Sequence, residues 1–215
     1  MRSALDRRPP QRSRSDDRRD ALLDALESCL REATFDKVSL ADIAASAGVS
    51  RPSFYFYFEN KAAALAALMD RMTNDAFVLS TEFVDSTDVP EVRIETMLAA
   101  LFDTVDRHRY MFAAMVQARG HSEAVRQVWD QINAQLVGRI SDMIRTERDR
   151  GAAPRGIDPT VLASVLLEFN DRLLERLALG GPLSREQMMI GAKTVWLGAI
   201  YGRTAAQPDE GRGVQ

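Results

Sequence analysis

The chain has 215 residues, 46% of them hydrophobic and 27% charged, with a formal net charge of −3. That length suits one domain or two small ones, with enough apolar material for a core that needs no staples. The single cysteine, Cys29, excludes a disulfide framework, and two histidines beside it are too few soft ligands for a structural zinc site. No apolar run reaches the roughly 18 residues a membrane span requires, and no apolar segment follows the charged N-terminus as in a secretory signal. The expected location is the cytoplasm, with no membrane partner.

Charge is unevenly distributed. Residues 1–61 hold 11 Lys/Arg against 10 Asp/Glu, whereas the remainder holds 17 against 21. Seven arginines fall in the first 19 residues, opposed by Asp6, Asp16 and Asp17. Residues 1–15, rich in Arg, Ser and Pro, read as a disordered basic arm. A basic arm ahead of a more acidic body is a layout found in nucleic-acid binders, although the arm taken alone reads better as a solvated, disordered tail.

From Asp16 onward the periodicity is helical. Leu22, Leu26, Cys29, Leu30 and Ala33 recur at three- and four-residue steps and predict a helix over 17–33, capped by Ser15 or Asp16. Thr34–Val38 breaks the pattern. Ser39 and Asp42 form an S-x-x-D capping box for a short helix that buries Leu40, Ile43, Ala44 and Ala47. Gly48 stands where a helix ends and positive φ is easiest. Ser50 caps the next helix with Pro52 in its first turn, and Asn60 caps a long one over about 61–80. Helical periodicity continues beyond Pro90 to Arg203, interrupted near His108, at 120–122, at 151–159 and at 180–182. No useful β alternation appears. The expected fold is all-α with about nine helices: a head over 16–62, a body over 63–203 joined to it by the 61–80 helix, and a disordered tail over 204–215.

The informative segment is Ser39–Phe58, SLADIAASAGVSRPSFYFYF. Two short helices joined by Ala47-Gly48-Val49 match helix-turn-helix geometry, in which the second helix enters the major groove. Its exposed N-terminal residues would be Arg51, Pro52, Ser53 and Tyr55. Arginine reads guanine through a bidentate fork and serine suits any base. Tyr57 and Lys61 are placed for phosphates, as are the helix N-termini at Ser39 and Ser50. Phe54 and Phe58 should be the buried side.

The string D-I-A-x-x-A-G-V-S, the aromatic Y-F-Y-F run, Asn60-Lys61 and Leu65 resemble the signature of the TetR family of transcriptional regulators. The resemblance implies a DNA head before an all-helical body, binding to a palindromic duplex operator as a homodimer through the last two helices, and release by a small apolar ligand. A closer likeness to one member of that family is carried by Ser50–Phe58 and by Glu147–Arg155, ERDRGAAPR. By that likeness Asn170 would anchor the ligand's polar group, with Trp129, Trp196 and Phe102 as pocket walls. Ile94, Leu101, Val105 and Leu136 stand where that relative has aromatic walls, Leu167 replaces a second Asn, and Glu175 replaces a Phe; the ligand is therefore expected to differ.

The residues themselves add two further expectations. The segment 158–179 is apolar on nearly every side, suggesting one face for the core and another for a partner. Gly191, Gly198 and Gly202 fall on one stripe of the last helix, as close approach to another helix would require. The alternative function is a helical small-molecule or lipid carrier without a DNA-binding role. No G-x-S-x-G, phosphate loop or H-E-x-x-H is present, so neither enzyme activity nor a cofactor is expected. Glu147–Arg150 reads as a solvated charged helix end.

Overall fold

The computed structural model describes residues 14–71 and 86–202, and these form nine helices. Three build the head: α1 (Arg14–Glu32), α2 (Leu40–Ser46) and α3 (Arg51–Tyr57). A fourth, α4, is described over 61–71. The body follows as α5 (Pro90–Arg107), α6 (Arg109–Arg119), α7 (Glu123–Asp149), α8 (Pro159–Leu179) and α9 (Arg185–Tyr201). Residues 1–13 of the expected arm over 1–15, the C-terminal part of the 61–80 helix and the tail over 204–215 lie outside the described residues, whereas Arg14 and Ser15 of that arm are helical. Among the described residues no helix is long and apolar enough to cross a membrane.

The local signals act as read, with one shift. The capping box at α2 is complete: Asp42 N–H donates to Ser39 Oγ and the Ser39 N–H to Asp42 Oδ2, both at 3.1 Å. Gly48 adopts φ 65° at the turn, where it closes the angle to α3 at no Cβ cost. Asn60 Oδ1 accepts from the Ala63 N–H at 2.9 Å and starts α4. Asp158 and Ser184 cap α8 and α9. Helix α1, however, already begins at Arg14, so Ser15 and Asp16 are inside it and neither is its cap.

Two cores organise the packing. The head core joins Leu22, Leu26, Ile43, Phe54 and Phe58 to Leu65, Leu68 and Met69 of α4, and continues into Met111, Met115 and Val125 of the body. Head and body therefore share one apolar cluster. The body core gathers Ile94, Leu98, Ile144, Leu166, Trp196 and Ile200 where α5, α7, α8 and α9 meet. A smaller cluster holds Phe102, Val105, Leu174 and Leu177. Of the expected glycine stripe, Gly191 and Gly198 lie exposed on α9. Gly202 does not belong to it: it is the left-handed C-cap, φ 65°, and closes the helix.

Candidate functional site

The head presents α3 outward. Phe54 is fully buried and Phe58 nearly so, which fixes the opposite face of this seven-residue helix toward solvent. Arg51, Pro52 and Tyr55 are exposed there and Ser53 is half-buried. The sequence argument missed the most prominent side chain: Phe56 is 80% exposed. Its place midway between the buried Phe54 and Phe58, on the opposite side of a 3.6-residue period, could have signalled it. Tyr57 is half-buried against the head core, with its ring edge-on to Phe56 at 5.1 Å. Ser39 and Ser50 are engaged as N-caps; Ser50 Oγ accepts from the Ser53 N–H at 3.3 Å.

Lys61 is placed differently from the expectation. Its ammonium donates to the Phe35 carbonyl and to that of Val38 at 2.7 Å, and lies 4.3 Å from the Phe35 ring centroid. Burial pushes its pKa below the ordinary lysine value. It ties α4 to the loop between α1 and α2, so its charge is directed inward.

A second bridge runs between head and body. Tyr110 of α6 donates its hydroxyl proton to Glu27 of α1 at 2.6 Å, with the Arg31 guanidinium over the Tyr110 ring. Burial, reinforced by the Glu27 carboxylate, raises the Tyr110 phenol to about 12. Arg71 of α4 pairs with Asp24 at 2.7 Å and reaches Glu27 at 3.4 Å.

Beside this junction lies a cavity of about 140 Å³. Met69 of α4 and Met111, Phe112 and Met115 of α6 form the wall toward the head. Leu101, Thr104 and His108 of α5 form another, and Trp129, Ile132, Asn133 and Leu136 of α7 a third. Asp171 and Leu174 of α8 complete it. The polar groups converge on one point. Trp129 Nε1–H donates to Asp171 Oδ2 at 2.9 Å, and Asn133 Nδ2–H donates to the same oxygen at 3.1 Å. At the other end, His108 Nδ1 is 3.3 Å from the Tyr110 hydroxyl. An apolar chamber with a few placed polar groups is the ordinary form of a small-molecule site.

Comparison with known proteins agrees in both halves. Residues 22–68 match the model described as bacterial regulatory proteins, tetR family, and residues 94–202 match that of the transcriptional regulator EthR, C-terminal domain. The HTH-type transcriptional regulator EthR of Mycobacterium tuberculosis is 33% identical over 195 residues, 89% of this chain and 90% of that protein. The chain belongs to the TetR family of bacterial transcriptional regulators. EthR of Mycolicibacterium smegmatis is 31% identical over 94% of this chain and 97% of its own length. In fold, the chain resembles the transcriptional regulator FadR from Bacillus subtilis, solved in complex with stearoyl-CoA, at a TM-score of 0.67 and 14% identity over 86% of this chain and 98% of that one. Membership in the TetR family makes the chain a DNA-binding transcriptional regulator and not an enzyme, with operator DNA and a small ligand as the implied partners. The carrier reading without a DNA role falls with it.

The positions carried over from the TetR-family likeness are only partly at the cavity. Trp129 lines it. Trp196 is fully buried in the body core, and its Nε1–H donates to Asn170 Oδ1 at 3.0 Å. Asn170 is thus engaged with a core tryptophan and does not reach the chamber. Phe102 sits in the cluster behind the wall, with Leu174. Asp171, Asn133, His108 and the three methionines do line it, and none of them was expected there from the sequence.

Burial pushes the Asp171 carboxyl above the ordinary value, against the lowering effect of its two hydrogen bonds. A raised folded-state pKa means that the native protein holds this proton more tightly than the unfolded chain. Stability from this group is present below the unfolded carboxyl pKa and falls as pH rises through the folded value. Asp171→Asn should therefore gain stability relative to wild type with increasing pH across that window, read as urea midpoints at a series of pH values. A constant difference at all pH values would contradict the assignment.

Proposed function

We propose that this regulator is a cytoplasmic homodimeric repressor that leaves its operator when a small apolar ligand fills the body cavity. The observation that carries this reading is the shared wall: Met69, Met111 and Met115 line the cavity and are buried in the same cluster as the head residues Leu22, Leu26 and Phe54. A ligand that moves α4 or α6 must repack the head's core, because close-packed interiors transmit displacement. Two-fold dimers fit half-sites about 34–36 Å apart, so a shift of a few Å at the heads breaks the register. The ligand drives release only by binding the non-DNA conformer better. The stearoyl-CoA named for the FadR neighbour supports ligand binding in this kind of body, although a chain that long exceeds the volume found here.

On the DNA, Arg51, Ser53 and Tyr55 read base edges, with Pro52 starting the helix. The exposed Phe56 ring supplies apolar contact to thymine methyls. Ser39 and Ser50 orient the helix N-termini toward phosphates, which Tyr57 also contacts; Lys61 is better assigned to holding α4. A gel shift with DNA from upstream of the protein's own gene, titrated with salt, tests the reading. Retardation that weakens steeply with salt and is relieved by single-ring aromatic compounds is expected. No retardation even at low salt would sink it. Arg51→Ala should cost about 1–3 kcal/mol on the cognate site and relax base preference there. Equal losses on cognate and random duplex would take Arg51 out of base reading.

A further inference from the structure

The geometry points to a small organic amine, carried as its ammonium on an aromatic or branched apolar frame, as the ligand class this cavity selects, with Asp171 as its counter-charge. The inference rests on the ligand-binding reading above and names its chemistry. Asp171 Oδ2 accepts both hydrogen bonds, from Trp129 and Asn133, while Oδ1 accepts none among the described residues. A carboxylate offers about four acceptor sites, so half of its capacity is open. No Lys or Arg of the described residues lies within 4.0 Å of it. Arg119 does act on it electrostatically, but that guanidinium covers the Trp129 ring at 4.9 Å and approaches Glu175 at 4.0 Å. Glu168 adds negative charge to the same region, and His108 is the other titratable group on the lining.

Asp171 is half-buried, and a carboxylate partly withdrawn from water against an apolar wall favours a counter-charge. Here the protein supplies two N–H donors that fix the carboxylate's orientation and, among the described residues, no cation in direct contact with it. An ammonium group placed against Oδ1 completes the set, and the apolar remainder of the ligand meets Trp129, Phe112 and the methionines. A fatty acid or acyl phosphate would instead bring like charge to Asp171. The volume of about 140 Å³ is of the size that accommodates a single aromatic ring.

Benzylamine, benzyl alcohol and benzoate share one frame and differ in charge. Titrated by thermal shift against the full-length protein without DNA, benzylamine should bind about tenfold or more tighter than benzyl alcohol, and benzoate should not bind. Asp171→Asn should bring benzylamine down to about the level of the alcohol, with an unchanged far-UV circular dichroism spectrum showing that the variant is folded. Equal binding of amine and alcohol to wild type, or an amine preference that survives in Asp171→Asn, overturns the assignment. Gel shifts with the same compounds keep the two readings apart. Amine binding without operator release supports the site and removes ligand-driven release. Operator release by benzyl alcohol without any amine preference keeps ligand-driven release and removes the amine.

Discussion

Glu147→Ala is expected to cost about 3–5 kcal/mol of folding stability, the penalty for stranding a buried charge. The Arg93 and Glu147 side chains are each only 3% exposed, and Arg93 Nη2 donates to Glu147 Oε1 at 2.8 Å. Arg93 also donates to the Tyr201 hydroxyl, so the pair ties α5 and α7 to α9. Arg150 adds a fork onto both carboxylate oxygens, at 2.6 and 2.7 Å. Without Glu147 the Arg93 guanidinium stays charged in the core, because arginine does not deprotonate in proteins. Urea unfolding followed by far-UV circular dichroism reads the loss. The double variant Arg93→Met/Glu147→Leu should recover most of it, since removing both charges removes the desolvation cost together with the attraction. A single variant within 1 kcal/mol of wild type, on the order of an exposed pair, would mean that the cluster is solvated.

The same pair sets a pH dependence of opposite sign to that of Asp171. Burial raises the Glu147 carboxyl, but hydrogen bonds from Arg93 and Arg150 outweigh it, and the pKa lies below the ordinary value. Its contribution is fully present above the unfolded carboxyl pKa and is lost as pH falls through the lower folded value. The stability gap between wild type and Glu147→Gln should therefore narrow in acid.

Helix boundaries were legible because their determinants are local. The breaks at 120–122, 151–159 and 180–182 rest on caps, glycines and prolines within a few residues of each end, and these, like the break at His108, recur in the structure. The exposed face of α3 was legible for the same reason, apart from Phe56. What escaped was decided at long range. The partner of Glu147 lies 54 residues away, so a run of four charges read as solvated. Lys61 is held by carbonyls 23 and 26 residues distant. Asn170 is placed off the cavity for a different reason. One step along a helix turns a side chain by about 100°. Asn170 consequently faces Trp196 of α9, and Asp171 faces Trp129 and Asn133 of α7. A likeness that locates the helix correctly can still name the neighbour of the residue that enters the cavity.

Val165→Arg is expected to convert the proposed dimer into a monomer without disturbing the fold of the protomer. On α8 Val161 and Val165 are 53% and 58% exposed, and on α9 Ile190 and Val195 are 53% and 41% exposed. The buried sides of the same helices carry Leu162, Leu166, Ala192 and Trp196, so the outer valines contribute nothing to the core of their own subunit. Gly191 lies on this outer face, and a Cβ added there would meet nothing within 4 Å. The protomer has no need of a glycine at that point, whereas a second backbone arriving from outside would. In the proposed dimer, two helices from each of two copies would form a four-helix bundle around a two-fold axis, bringing each valine to its counterpart region. An arginine at 165 would then bring two like charges together in an apolar seam. Sedimentation should report a mass near 24.0 kDa, with an unchanged helical signal. Operator affinity should fall by about 10²- to 10⁴-fold, because the two heads no longer share an effective concentration. Gly198→Leu, on the same exposed face, should act likewise through steric bulk. Variants that still sediment as dimers would move the interface off α8 and α9.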